Sequence, residues 1–174
     1  MIDPTINAGT VAGGTMPNSS SQSGQHHPSP PPKSAPIVLV VDDCEDIREA
    51  LARLLRSDGY TPAQAADGGE ALTYLRETIP ALIITDLSMP GMDGIELVHH
   101  IRHDARTRAV PIIMFSATGG SAVEQAHAAG VQGYVLKESM DWAKLRQDIL
   151  RLAGPGIRDH HPPAVISARA RDAS

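Results

Sequence analysis

Apolar positions along the middle of the chain fall into two alternating patterns. Ile37-Val38-Leu39-Val40-Val41 is a continuous, largely β-branched run, the mark of a strand covered on both faces. Ile47, Leu51, Leu54 and Leu55 then recur at helical spacing and stop at Gly59. A short segment at Tyr60–Ala65 follows, and Asp67-Gly68-Gly69 reads as a turn. Ala71, Leu72 and Leu75 predict a second helix, and Ala81-Leu82-Ile83-Ile84 another buried strand. Ile95, Val98 and Ile101 mark a third helix, Pro111 to Phe115 a strand, and Val123 to Ala129 an Ala-rich helix ending at Gly130. Tyr134-Val135-Leu136 gives the last strand, and Trp142, Leu145, Ile149 and Leu152 the last helix. Five strands alternating with five helices predict an α/β fold, a five-stranded parallel sheet with helices on both faces.

Composition alters this picture mainly at the ends. Sixteen of the first 35 residues are Ser, Pro or Gly, including Pro28-Ser29-Pro30-Pro31-Pro32. Such a segment buries too little apolar area to offset its ordering entropy, so residues 1–35 are expected to be a disordered leader. Gly154-Pro155-Gly156 and His160-His161-Pro162-Pro163 give 154–174 the character of a flexible tail, leaving 36–153 as the folded domain. The tail is too short and too rich in Pro and Gly for a helix-turn-helix, so an output domain is not expected after Leu152.

Charge and cysteine usage exclude several function classes. Residues 36–153 hold 17 acidic and 11 basic side chains, and the whole chain carries a formal charge of −5. That balance argues against nucleic acid or an anionic membrane as the main partner. No run of 18 apolar residues exists, so membrane insertion is not expected. The single cysteine, Cys44, rules out an internal disulfide and a Cys-rich zinc site, which fits a reducing cytoplasm.

In a sheet of this kind ligands bind beyond the carboxyl ends of the strands. Those ends carry Asp42-Asp43, Asp86, Ser116 and Lys137, each following an apolar run. Three carboxylates on one rim either raise one another's pKa or hold a cation, and an all-oxygen donor set with room for water suits Mg²⁺. An ammonium and a hydroxyl nearby suit an incoming phosphoryl group. Asp86 is then the candidate nucleophile, as carboxylates are in aspartyl-phosphate chemistry. Each residue alone has a plainer reading: Asp42-Asp43 as caps of the first helix, Asp86 as a turn residue, Lys137 as a solvated lysine.

Taken together, Val40-Val41-Asp42-Asp43, Arg48, the run Asp86-Leu87-Ser88-Met89-Pro90-Gly91-Met92-Asp93-Gly94, Ser116-Ala117 and Tyr134-Val135-Leu136-Lys137 resemble the receiver domain of two-component response regulators, over residues 36–153. The resemblance implies a flavodoxin-like fold and a single-domain, chemotaxis-regulator-like switch rather than an enzyme. Asp86 matches the phosphoacceptor, supplied by a phosphohistidine on a histidine kinase or phosphotransfer protein. Asp42, Asp43, Asp86 and the backbone carbonyl of Ser88 match the Mg²⁺ ligands, Asp43 the more direct of the acidic pair. Ser116 and Lys137 match the pair that binds the phosphoryl oxygens. Ser116 and Tyr134 match the switch residues, and Ser88 and Thr118 the positions that tune autodephosphorylation. A downstream protein is expected at the face of the fourth helix, fifth strand and fifth helix, where Trp142 is displayed and a homodimer could also form.

One position departs from the pattern. The family usually carries Pro after the lysine, often with a cis bond. Glu138 stands there, and a cis bond before a non-proline residue costs about 3–4 kcal/mol, so a trans bond and a shifted loop are expected. Two other readings compete: a receiver fold used as a phosphorylation-independent adaptor, and a Mg²⁺-dependent phosphatase with an Asp nucleophile. Ser88 stands where such a phosphatase would place its second acid, which argues against the latter. His99 and His103, four apart, fall off the apolar face of their helix and read as solvated. Cys44 reads as a small filler at a helix start.

Overall fold

β-Branched runs too short for helices become strands, and the helices between them cover both faces. The computed structural model describes residues 34–139 and 141–157. The expected leader up to Lys33 and the expected tail from Arg158 onward lie outside the described residues. β1 (Ile37–Val41), β2 (Thr61–Ala65), β3 (Leu82–Thr85), β4 (Ile112–Ser116) and β5 (Gly133–Leu136) form one parallel sheet in the order β2-β1-β3-β4-β5. The connecting helices are α1 (Glu45–Ser57), α2 (Gly68–Glu77), α3 (Gly94–His103), α4 (Ser121–Ala129) and α5 (Trp142–Ala153).

Alternation along the strands divides the core in two. Leu39, Val41, Ile83, Ile112 and Met114 point to one face, under Leu75, Leu97, Ile101 and Ala126 of α2, α3 and α4. Val38, Val40, Ile84, Ile113 and Phe115 point to the other, under Leu51, Leu55, Leu145 and Ile149 of α1 and α5. With the side chains of β1, β3 and β4 nearly all buried, residues just beyond their carboxyl ends are held to a stiff support.

Asp67-Gly68-Gly69, read as a turn, instead begins α2. The Asp67 carboxylate accepts from Glu70 N at 2.8 Å, and the Glu70 carboxylate accepts from Ala66 N at 2.8 Å, so the two side chains satisfy orphan amides at the helix start. Gly154–Ile157, the described part of the segment read as tail, lies against the α1–β2 turn: Tyr60 Oη donates to Gly154 O at 2.6 Å, and Ile157 N donates to Gly59 O at 2.8 Å.

Candidate functional site

The sheet's register builds the site. β1 steps outward to β2 on one side and to β3 on the other, so a crevice opens at the carboxyl ends between β1 and β3. Val41 pairs with Thr85, which makes Asp42 and Asp86 neighbours one residue further on. Ser116 pairs with Leu136, and Lys137 N donates to Ser116 O at 2.8 Å, carrying the ladder to the lysine.

Asp42, Asp43 and Asp86 each offer a carboxylate oxygen within 4.8 Å of the others. Lys137 Nζ lies 2.7 Å from Asp42 Oδ2 and 3.0 Å from Asp86 Oδ2. Asp42 and Asp86 are buried, 1% and 6% exposed, while Asp43 faces solvent. Asp42 Oδ1 accepts from Cys44 N at 3.0 Å; Asp42 Oδ2 is buried against the Lys137 ammonium, which it shares with Asp86. Burial raises the Asp42 pKa above its ordinary value, and the Lys137 ammonium and the Cys44 amide only partly offset this. Burial by itself would depress Lys137, but bonds and charges from Asp42 and Asp86 outweigh it and hold the ammonium protonated. Three carboxylates with one ammonium among them, two of them buried and the third open to solvent at Asp43, fit a hard divalent cation with retained waters.

The phosphoacceptor candidate is held by its own backbone. Asp86 N donates to Val41 O at 2.8 Å, and Leu87 N donates to Asp86 Oδ1 at 2.7 Å. Gly94 N donates to Leu87 O at 2.7 Å, and a Cβ at Gly94 would stand 2.1 Å from Asp86 O. Only glycine therefore lets α3 start this close to the Asp86–Leu87 backbone. Asp93 caps that helix by accepting from Glu96 N at 2.8 Å.

Ser116 is buried beside this group, and its Oγ accepts from Thr118 N at 3.2 Å. Tyr134, half-buried on β5, donates its hydroxyl to Thr118 O. Ser116, Thr118 and Tyr134 are thus joined through one loop, whereas Ser88 is exposed two residues past Asp86. Glu138 does not draw Lys137 away from the carboxylates.

Several contacts were not evident from sequence. Cys44 is exposed as the N-cap of α1 and makes no side-chain cap; the Asp42 carboxylate serves its amide instead. Arg48, noted only as part of the pattern, donates from Nη1 to Asp42 O at 2.7 Å. Trp142, expected on display, is half-buried against Phe115, ring centroids 6.1 Å apart, and Lys137 Nζ lies 5.9 Å from the Phe115 centroid. Chain patterning alone cannot place these side chains, because periodicity does not fix where a side chain ends, and the Phe115 contacts also join elements distant in sequence. His99 and His103 are exposed, as expected, with His103 Nδ1 at 2.7 Å from His99 O.

Comparison with known proteins agrees with the geometry. The model of the family described as the response regulator receiver domain matches residues 38–150. The chemotaxis protein CheY of Pseudomonas aeruginosa is 39% identical over 102 residues, 58% of this chain and 82% of that one. The DNA-binding response regulator MtrA of Mycolicibacterium smegmatis is 40% identical over 101 residues, 58% of this chain but only 43% of that one. Among solved structures, the response regulator TrrA of Thermotoga maritima, in complex with Mg²⁺ and BeF, superposes with a TM-score of 0.61 at 32% identity, covering 67% of this chain and 98% of that one. The receiver domain of a sensor histidine kinase of Pseudomonas aeruginosa, with a magnesium ion in its active-site cleft, gives 0.63 at 28%, covering 68% and 98%. With its parallel sheet, its acidic rim and these relatives, the chain belongs to the response regulator receiver domain family.

Proposed function

We propose that this receiver domain is a phosphoryl-accepting switch whose acceptor is Asp86, with Asp42, Asp43, Asp86 and the Ser88 carbonyl holding Mg²⁺. The observation that carries the reading is Lys137 lying against both Asp42 and Asp86 at the end of β5, inside a cluster of three carboxylates. The ion, when bound, neutralises oxygen charge on the donor phosphoryl group and on the carboxylates around it. One Asp86 carboxylate oxygen forms the new P–O bond as the P–N bond to the donor imidazole breaks, and the electron pair of that bond returns to the imidazole nitrogen, which takes up a proton. Lys137, already protonated, stays beside the acceptor and meets the new charge. Ser116 Oγ exchanges its bond from Thr118 N for one donated to a phosphoryl oxygen. That exchange loosens the loop to which Tyr134 is bonded, and Tyr134 is free to reorient on the α4–β5–α5 face.

The donor class is a phosphohistidine on a histidine kinase or phosphotransfer protein. The output is a protein bound at the α4–β5–α5 face, where Leu136 is 36% exposed, or a second copy of the chain. Ser88 and Thr118, both exposed at the rim, set how readily water reaches the acyl phosphate. Titration of the full chain with Mg²⁺ and then beryllofluoride, followed by Trp142 fluorescence and amide NMR, tests the reading. A saturable, Mg²⁺-dependent change that disappears in Asp86→Ala supports it. Absence of any response in the wild type, with no phosphoryl gain by mass from acetyl phosphate, would overturn it in favour of a constitutive adaptor.

A further inference from the structure

Asp42 follows directly on β1, and its main-chain carbonyl lies past the last rung of the sheet. A carbonyl on a residue this buried needs a donor from elsewhere. Arg48 supplies it: six residues on, one turn into α1, its Nη1 reaches back to Asp42 O at 2.7 Å. The same helix turn is anchored by Arg48 N donating to Cys44 O at 3.1 Å, while Cys44 N donates to Asp42 Oδ1 at 3.0 Å. The Asp42–Asp43 peptide is therefore gripped on its carbonyl by Arg48, with the neighbouring carboxylate fixed by the Cys44 amide. Asp43 is the exposed member of the three carboxylates, and it has none of the burial that holds Asp42 and Asp86 in place.

We propose that Arg48 is a positioning residue of the cation site: by holding the Asp42 carbonyl it fixes the tilt of the Asp42–Asp43 peptide and so aims the exposed Asp43 carboxylate at the other two. This inference rests on the reading of the acidic cluster as a Mg²⁺ site. A guanidinium close to a cation site would, through its charge alone, weaken cation binding, so the two roles predict opposite signs. Partners one step removed from a metal typically change affinity 10–100-fold when lost.

The test is Mg²⁺ titration of the full chain by amide NMR at low and high KCl, with Arg48→Met, Arg48→Lys and, as a control elsewhere on α1, Arg53→Met. Met and Lys keep length and helix propensity; Met removes both donor and charge, whereas Lys keeps one donor and the charge. Arg48→Met is expected to bind Mg²⁺ about ten-fold more weakly at both salt concentrations. It should also shift the Asp43 amide resonance before any ion is added. Arg48→Lys should recover most of the affinity, and Arg53→Met should bind like the wild type. Equal or tighter binding by Arg48→Met overturns the proposal, as does a Lys variant no better than Met while both remain folded. If the Met variant does not fold, the Lys variant and its Asp43 resonance decide. A wild-type chain that takes up no Mg²⁺ overturns the reading of the site itself, a distinct result.

Discussion

The two ends of the sheet handle polarity in opposite ways. At the carboxyl end, Asp42, Asp86 and Ser116 are buried, and the Asp42 and Asp86 carboxylates share a single ammonium. At the amino end, polar groups are matched by partners. Arg102 donates from Nε and Nη2 to Gly130 O at 3.1 and 2.7 Å, from Nη1 to Arg108 O at 3.1 Å and Val110 O at 2.8 Å, and from Nη2 to Gln132 Oε1 at 3.0 Å. Thr107 Oγ1 donates to Ile101 O at 2.9 Å in the same region. One end is satisfied and holds the fold; the other keeps uncompensated charge where a ligand can meet it. Stability and function are thereby assigned to opposite rims of one sheet.

The comparison fails if a change at the satisfied end costs little. Arg102→Ala should cost about 2–4 kcal/mol, because several charge-assisted bonds are lost together; Gly130 O keeps the donor from Gln132 Nε2, but Arg108 O and Val110 O lose the guanidinium. The guanidinium stays charged throughout, since burial lowers its pKa from a value far above neutral. Urea denaturation measures the loss, and Mg²⁺ affinity should be unchanged. A midpoint within error of wild type would show that the clamp is ornamental.

At the functional end the sign reverses. Asp42→Asn should stabilise the metal-free domain by about 1–3 kcal/mol, by removing one of two buried carboxylates that share a single ammonium while Asp86 keeps Lys137 paired. The same variant should lose Mg²⁺ binding, and with it the stabilisation that saturating ion confers, about 2.7 kcal/mol at a hundred times Kd. The pH dependence follows from the raised pKa of Asp42. As pH rises past the ordinary carboxylate value of 3.8, the unfolded chain gives up this proton first. The folded state then holds the extra proton, so Asp42's contribution to stability falls with rising pH until Asp42 itself ionises, and is level above that. Urea melts of the EDTA-treated protein across the acidic range should show this contribution in the wild type and not in Asp42→Asn. A destabilised Asn variant would sink the idea that this rim stores instability.

Legibility in the sequence follows the same division. The acid rim was readable because Asp42, Asp86, Ser116 and Lys137 each stand at the carboxyl end of a strand, and strand order brings those ends together whatever the loops do. β1, β3 and β4 were readable because both faces are covered. β2, Thr-Pro-Ala-Gln-Ala, was only a short segment in the pattern, since an edge strand that is mostly half-exposed needs no apolar run. The Arg102 clamp, the Arg48 grip and the tilted contact of Trp142 with Phe115 left no trace in the apolar pattern. They depend on where a long side chain ends, and periodicity fixes only where it begins. The Gly154–Ile157 contacts were hidden for a related reason: Gly and Pro advertise a break, and docking of the backbone needs no apolar signal.

The smallest effect sharpens the amino-end side of the comparison. Tyr60 is 7% exposed, and its hydroxyl donates to Gly154 O at 2.6 Å, tying the end of α5 to the α1–β2 turn. Ile157 N donates to Gly59 O at 2.8 Å, and a Cβ at Gly156 would stand 2.2 Å from Asp58 O, so the backbones are in direct contact there. Tyr60→Phe keeps the buried ring and removes one hydrogen bond, so it should cost about 0.5–1.5 kcal/mol. Amide exchange should quicken at Ile157, which leans on the same turn, while the beryllofluoride response at Asp86 stays as in the wild type. If instead that response weakens along with the exchange protection, the two rims are coupled through α5, and the division of labour along the sheet is less complete than its polar contacts indicate.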